Sequence, residues 1–132
     1  MLSFLKPKKE KRLVSKNDFN ANLVKHYRLA TESLVSLRDA GIEEEDELRI
    51  DFFFYANTRE KAKTLEMEIQ EKDFTANFET ALHDKNLFII SGKTGKIKMM
   101  HETLSKWVTE MSELGYEYDC IFDSWSIDSE LK

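Results

Sequence analysis

The sequence predicts an α+β fold: a ferredoxin-like βαββαβ sandwich, with an antiparallel sheet and two helices on one face, preceded by an N-terminal helix. Three observations predict it. Apolar residues recur at helical spacing in three stretches and in short or alternating runs in four others. The two kinds follow one another as helix, strand, helix, strand, strand, helix, strand. The 132 residues, 41% of them hydrophobic, suffice for one domain with its own core.

Residues 1–17 hold the only proline and a run of Lys and Arg, and are expected to form a basic flexible arm. The domain proper is expected over 18–132, with a leading helix over 18–40. Asp18 is a plausible N-cap, and Phe19, Leu23, Tyr27, Ala30, Leu34 and Leu37 recur in steps of three and four up to Gly41, a C′ glycine. An acidic loop follows, Glu43, Glu44, Glu45, Asp46 and Glu47.

Residues 48–55, "LRIDFFFY", alternate as a strand. Leu48, Ile50, Phe52 and Phe54 share one side; Arg49, Asp51, Phe53 and Tyr55 share the other. This pattern predicts a central strand buried on both faces, with the leading helix or a partner covering Phe53 and Tyr55.

Asn57 or Thr58 caps the next helix, whose stripe is Ala62, Leu65 and Ile69 and whose end is near Lys72. "FTANF" (74–78) reads as a half-buried strand, "HDKN" (83–86) as a turn and "LFII" (87–90) as a second central strand. "SGKTGK" (91–96) reads as a loop. Met100, Leu104, Trp107, Val108, Met111 and Leu114 mark a helix that Gly115 closes, and "YEYDCIF" (116–122) reads as the last strand.

Charge narrows the function. Residues 1–40 carry nine Lys or Arg against four Asp or Glu, whereas 41–132 carry eleven against twenty-one. So acidic a body disfavours nucleic acid, whose binding depends on cations displacing counterions, and suits basic protein segments better. The single Cys120 cannot form an internal disulfide and fits a reducing, cytoplasmic setting. The apolar start at Leu2, Phe4 and Leu5 is far short of a membrane span and fits a frayed terminus better than an anchor.

Motifs for chemistry are missing. "SGKTGK" has Leu87 where a phosphate loop needs its first glycine. His26, His83 and His101 stand in no ligand-spaced pair, so no metal or cofactor is expected. No Ser, Thr or Cys stands in a nucleophile motif. Asp119 and Asp123, four apart on the expected last strand, could pair as carboxylates, but a solvated edge is the simpler reading. Phe53 and Tyr55 could stack bases as in RNA-binding sheets, yet the glycine-flanked basic motif of such sheets is absent.

Residues 37–74, "LRDAGIEEEDELRIDFFFYANTREKAKTLEMEIQEKDF", resemble the regulator of ribonuclease E activity B family. The shared order is a helix ending at Gly41, the acidic loop Glu43–Glu47, the aromatic strand Asp51–Tyr55, the helix start Thr58–Glu60, and Phe74. The resemblance covers about residues 30 to 127. The Tyr-Asp-Gly-Trp segment that often ends members of that family has two partial matches here, at Tyr118–Asp119 and at Phe122–Trp125. The resemblance implies a small cytoplasmic bacterial protein of ferredoxin-like type that binds the ribonuclease E scaffold and restrains RNA processing without acting on RNA.

The combined expectation is a non-enzymatic, protein-binding regulator of RNA processing or decay whose partner is a ribonuclease or its scaffold. Its expected contact residues are Glu43, Glu44, Glu45, Asp46, Glu47, Phe53, Tyr55, Asp119, Asp123 and Trp125. The alternatives are a sheet-face RNA-binding module and a self-associating dimeric α+β barrel; the sequence leaves oligomeric state open.

Overall fold

The computed structural model describes residues 12–128. Residues 1–11, most of the expected arm, lie outside them. Helix α1 is Lys16–Asp39, followed by strand β1 (Glu47–Ala56), helix α2 (Arg59–Gln70), strands β2 (Thr75–Thr80), β3 (Phe88–Lys93) and β4 (Ile97–Lys98), helix α3 (His101–Glu117) and strand β5 (Ile121–Asp128). The fold is therefore α+β, three helices with a five-stranded antiparallel sheet.

β1 is the centre of that sheet. β3 pairs with it over Asp51–Ala56 and β5 over Arg49–Tyr55, while β2 forms the outer strand beyond β3. β4 meets Glu47 and Leu48 one residue out of register with β3. Thr94–Lys96 is thus a bulge between two parts of one ladder. It is secured where Thr94 N–H donates to the Ile50 carbonyl (2.9 Å) and Ile50 N–H donates to Thr94 Oγ1 (3.0 Å). The expected "SGKTGK" loop is corrected accordingly: Ser91–Lys93 continue the strand.

The alternation of β1 holds as the sequence predicts, with Leu48, Ile50, Phe52, Phe54 and Ala56 buried. Of the two covers expected for its other side, the leading helix is not the one. α1 packs beside α3 and over β5, on the same side of the sheet as α2 and α3. Among the described residues nothing covers the opposite face, and Phe53 is 38% exposed on it. A helical stripe tells that one side of a helix is buried but not which side of a sheet it meets.

α1 instead closes the edge of β5. Asn22 Nδ2 donates to the Phe122 carbonyl at 2.7 Å, and His26 Nε2 to the same oxygen at 2.9 Å. Trp125 Nε1 donates in turn to His26 Nδ1 at 3.1 Å, so the fully buried imidazole is held neutral with its proton on Nε2. An edge carbonyl that would template another strand is thereby satisfied within the chain.

Burial pushes the His26 pKa below its ordinary 6.5, against the opposing pull of the Phe122 carbonyl. The unfolded chain then binds the extra proton first, so acid destabilises the fold. Stability is expected to fall below about pH 6.5 by up to ~1.4 kcal/mol per pH unit until the folded-state pKa is reached. Urea midpoints between pH 8 and 5 check this. The slope should disappear in His26→Gln, and an unchanged slope there would remove His26 as its source.

Two helix ends differ from expectation. α1 begins two residues early because Ser15, not Asp18, is the N-cap: Ser15 Oγ accepts from Asp18 N–H, and Asp18 returns the bond to Ser15 N–H. α3 runs past Gly115 to Glu117 and ends in a Schellman turn, with Cys120 N–H bonded to the Gly115 carbonyl, Asp119 N–H to the Tyr116 carbonyl, and Asp119 itself at φ 58°. "YEYDC" is consequently helix end and turn, and the last strand starts at Ile121. Gly115 is glycine for space: a Cβ there would lie 2.8 Å from the Cys120 carbonyl oxygen and 3.1 Å from the Phe54 ring.

Candidate partner-binding surface

The open sheet face is built from every second residue of four strands. Its lower row crosses Thr75, Lys93, Asp51 and Ser126, its middle row Asn77, Ser91, Phe53 and Ser124, and its upper row Glu79, Ile89, Tyr55 and Ile121. The rows differ in chemistry. In the lower one Lys93 Nζ bridges Asp51 (3.0 Å) and Asp128 (2.9 Å), and the bonds to Asp128 and Asp51 hold the ammonium above its ordinary pKa. The middle row sets the Phe53 ring among hydroxyls and an amide.

The upper row opens into a mostly apolar cleft of about 400 Å³ at the β2–β3 hairpin, lined by Tyr55, Ile89, Ile121 and the hairpin's Ala81, Leu82, His83, Asp84 and Leu87. Leu82 is 93% exposed. A single exposed leucine is ordinary on a protein surface; what makes Leu82 informative is that it borders the apolar lining of this cleft, so the two form one continuous apolar patch. The sequence signal was slight: an Ala-Leu pair ahead of "HDKN", attached to no periodic stripe.

The ten expected contact residues divide in the structure. Phe53 and Tyr55 share the open face, and Glu47 stands at its lower end, at the start of β1. Glu43, Glu44 and Glu45 are exposed in the adjoining loop; Glu45 pairs with Lys98 at 3.1 Å, and the half-buried Asp46 accepts from Glu43 N–H at 2.7 Å to close the turn. Trp125 lies in the interior at 5% exposure, its ring 5.6 Å from Trp107. It faces the helices because β5 shifts register between Phe122 and Ser124, which puts both Phe122 and Trp125 on the buried side.

Asp119 and Asp123 do not form a carboxylate pair, since Asp119 belongs to the turn before β5. Its carboxylate accepts from Leu13 N–H (2.9 Å), Val14 N–H (2.8 Å) and Lys61 Nζ (2.7 Å), with Arg12 Nε at 3.6 Å. Arg12 also lies over the Tyr116 ring and donates to its carbonyl. Residues 12–15, counted at sequence level with the basic arm, are therefore strapped to the domain. Asp123 sits at the outer edge of β5 beside Lys25, His26 and Glu32 of α1.

Burial is the largest single influence on Asp119 and pushes its pKa up, but the Leu13 and Val14 amides and Lys61 together hold it below the ordinary 3.8. Its contribution is therefore present above that value and lost as pH falls through the folded-state pKa, well below the His26 window. Asp119→Ala is expected to cost about 1–3 kcal/mol and to strip hydrogen-exchange protection from the Leu13 and Val14 amides. Asp119→Asn, which keeps an acceptor and tolerates the left-handed backbone, should lose less.

Reactive chemistry finds little footing. The Cys120 thiol is 1% exposed, and burial pushes its pKa up to about 12, so it is not a nucleophile. Among the described residues no three His, Cys, Asp or Glu side chains are grouped to hold a metal ion, and no helix is long and apolar enough to cross a membrane.

The described residues form a sheet with helices on one face and an uncovered face carrying Phe53 and Tyr55 on the other. Residues 30–127 match the family model described as regulator of ribonuclease activity B, and the chain belongs to that family, one of regulators and not of catalysts. No individual curated protein matches the chain.

Proposed function

We propose that the chain is a non-enzymatic regulator that binds a protein, a ribonuclease or its scaffold, and thereby modulates RNA processing or decay in the bacterial cytoplasm. Family membership supports regulation of a ribonuclease. The observation that carries the protein-binding reading is the open sheet face, where Phe53 and the Tyr55 cleft stand uncovered and whose far end adjoins an acidic loop. The scaffold in this reading is a ferredoxin-like sandwich, supported by the strand order β2-β3-β1-β5 and the antiparallel pairing, with α1 laid along its edge.

The test is cleavage of a fluorescent RNA by ribonuclease E, with its scaffold region present or deleted, as the purified chain is added. Slower cleavage that requires the scaffold supports the proposal, and rates unaffected by the chain defeat it. The exposed Phe53 ring favours one second reading, stacking of RNA bases on the sheet. Direct RNA retention by the chain alone, lost in Phe53→Ala, would transfer the proposal to that reading.

A further inference from the structure

We propose that the open face docks an extended segment of the partner protein, one carrying an aliphatic or aromatic anchor and a Lys or Arg cluster about eight residues further along. The anchor enters the cleft formed by Tyr55, Leu82, Leu87, Ile89 and Ile121, and the cations reach the exposed Glu43, Glu44 and Glu47. The inference rests on the protein-binding reading above and adds to it the site and the chemistry of the segment.

Three observations converge on this occupant. The cleft is apolar and of a size for one or two large side chains, and its hairpin wall presents Leu82 at 93% exposure. The opposite end of the same face carries more acid than base: Glu47 starts β1 on the open side and the exposed Glu43, Glu44 and Glu45 adjoin it, against Arg49 and Lys98, of which Lys98 is paired with Glu45 at 3.1 Å. The two ends are joined by β1, along which Glu47 and Tyr55 lie eight residues apart, about 26 Å at strand rise. An extended peptide covers that distance with the same number of residues.

Between the ends the face is suited to a backbone running across it. Phe53 supplies apolar area and Ser91, Asn77 and Ser124 supply hydrogen-bonding groups, while Lys93 is engaged by Asp51 and Asp128 and does not repel an incoming cation as a lone charge would. A second copy fits less well, because it would bring a chain of the same net charge of −5 against an acidic end.

The experiment uses amide NMR of the full chain titrated with two 12-residue peptides. One has leucine near its start and three lysines eight to ten residues on; the other replaces the leucine by serine. The expected result is shifts at Leu82, Ile89, Phe53 and Glu47 with the first peptide, affinity about tenfold lower with the second, and a similar loss in Leu82→Asp, an exposed position that leaves the core intact. Raising salt from 50 to 300 mM should weaken the first complex further.

Equal affinity for both peptides, or shifts confined to the helices, would overturn the inference. So would shifts at the open face that appear on concentrating the chain alone together with dimer in sedimentation, since a second copy would then be the occupant. The ribonuclease assay separates this from the broader reading. If the wild type slows cleavage and Leu82→Asp slows it equally, the regulator stands and this docking site falls; if neither slows it, the peptide titration still decides the site.

Discussion

Phe52→Ala is expected to cost the fold about 3–5 kcal/mol, whereas Phe53→Ala, one residue along, is expected to cost under about 1 kcal/mol. Phe52 is fully buried, with the rings of Phe54, Phe74 and Trp107 at 6.1, 6.2 and 6.4 Å. Removing it opens a cavity at the middle of the central strand, where β1 is tied on both sides and cannot collapse inward. Phe53 has its ring on the open face and leaves no cavity when truncated. Urea unfolding of the two variants measures the difference. Comparable large losses would mean that something covers the open face, and the helix arrangement described above would be wrong.

That contrast also marks where the sequence is legible. Period two in residues 48–55 assigns Phe52 and Phe53 to opposite faces without any structure, and the stripes at Ala30, Leu34, Leu37 and at Leu104, Trp107, Val108, Met111 locate two helices for the same reason: local geometry repeats, so burial repeats with it. What the pattern does not carry is long-range choice. The edge-sealing role of His26 depends on Phe122, ninety-six residues away, and Asp119 finds its amides at Leu13 and Val14, more than a hundred residues back.

The last strand was obscured by a local cause. A Schellman turn built on Asp119 instead of glycine carries α3 two residues past Gly115, and the register shift at Phe122–Ser124 then puts Phe122 and Trp125 on one face despite their odd separation. Each breaks the rule by which the element would be recognised. Of the candidate site, the aromatic pair and the acidic loop were visible because each is contiguous in sequence. The cleft was not, since it forms only when β1, β3, β5 and the hairpin are brought together.

Gly92→Ala is expected to destabilise the protein by at least about 3 kcal/mol, the upper range for overpacking, because the obstacle is backbone. A Cβ at Gly92 would lie 2.0 Å from the Thr75 carbonyl oxygen and 2.7 Å from Cζ of Phe52. The ring could turn aside, but the carbonyl belongs to β2, which pairs with β3 at Thr75↔Lys93 and Ala76↔Gly92, so relief requires the strands to separate. Gly95→Ala is the matched control: nothing lies within 4 Å of its Cβ position, its φ is not positive, and the change should be neutral or stabilising by up to about 1 kcal/mol. A third variant isolates the cause. If the Phe52 ring were the barrier, Phe52→Leu combined with Gly92→Ala would recover most of the Gly92 loss in a double-mutant cycle; if the Thr75 carbonyl is, the two costs should add. Additivity is the expected outcome, with amide exchange accelerating first along β2, the outer strand with a single partner.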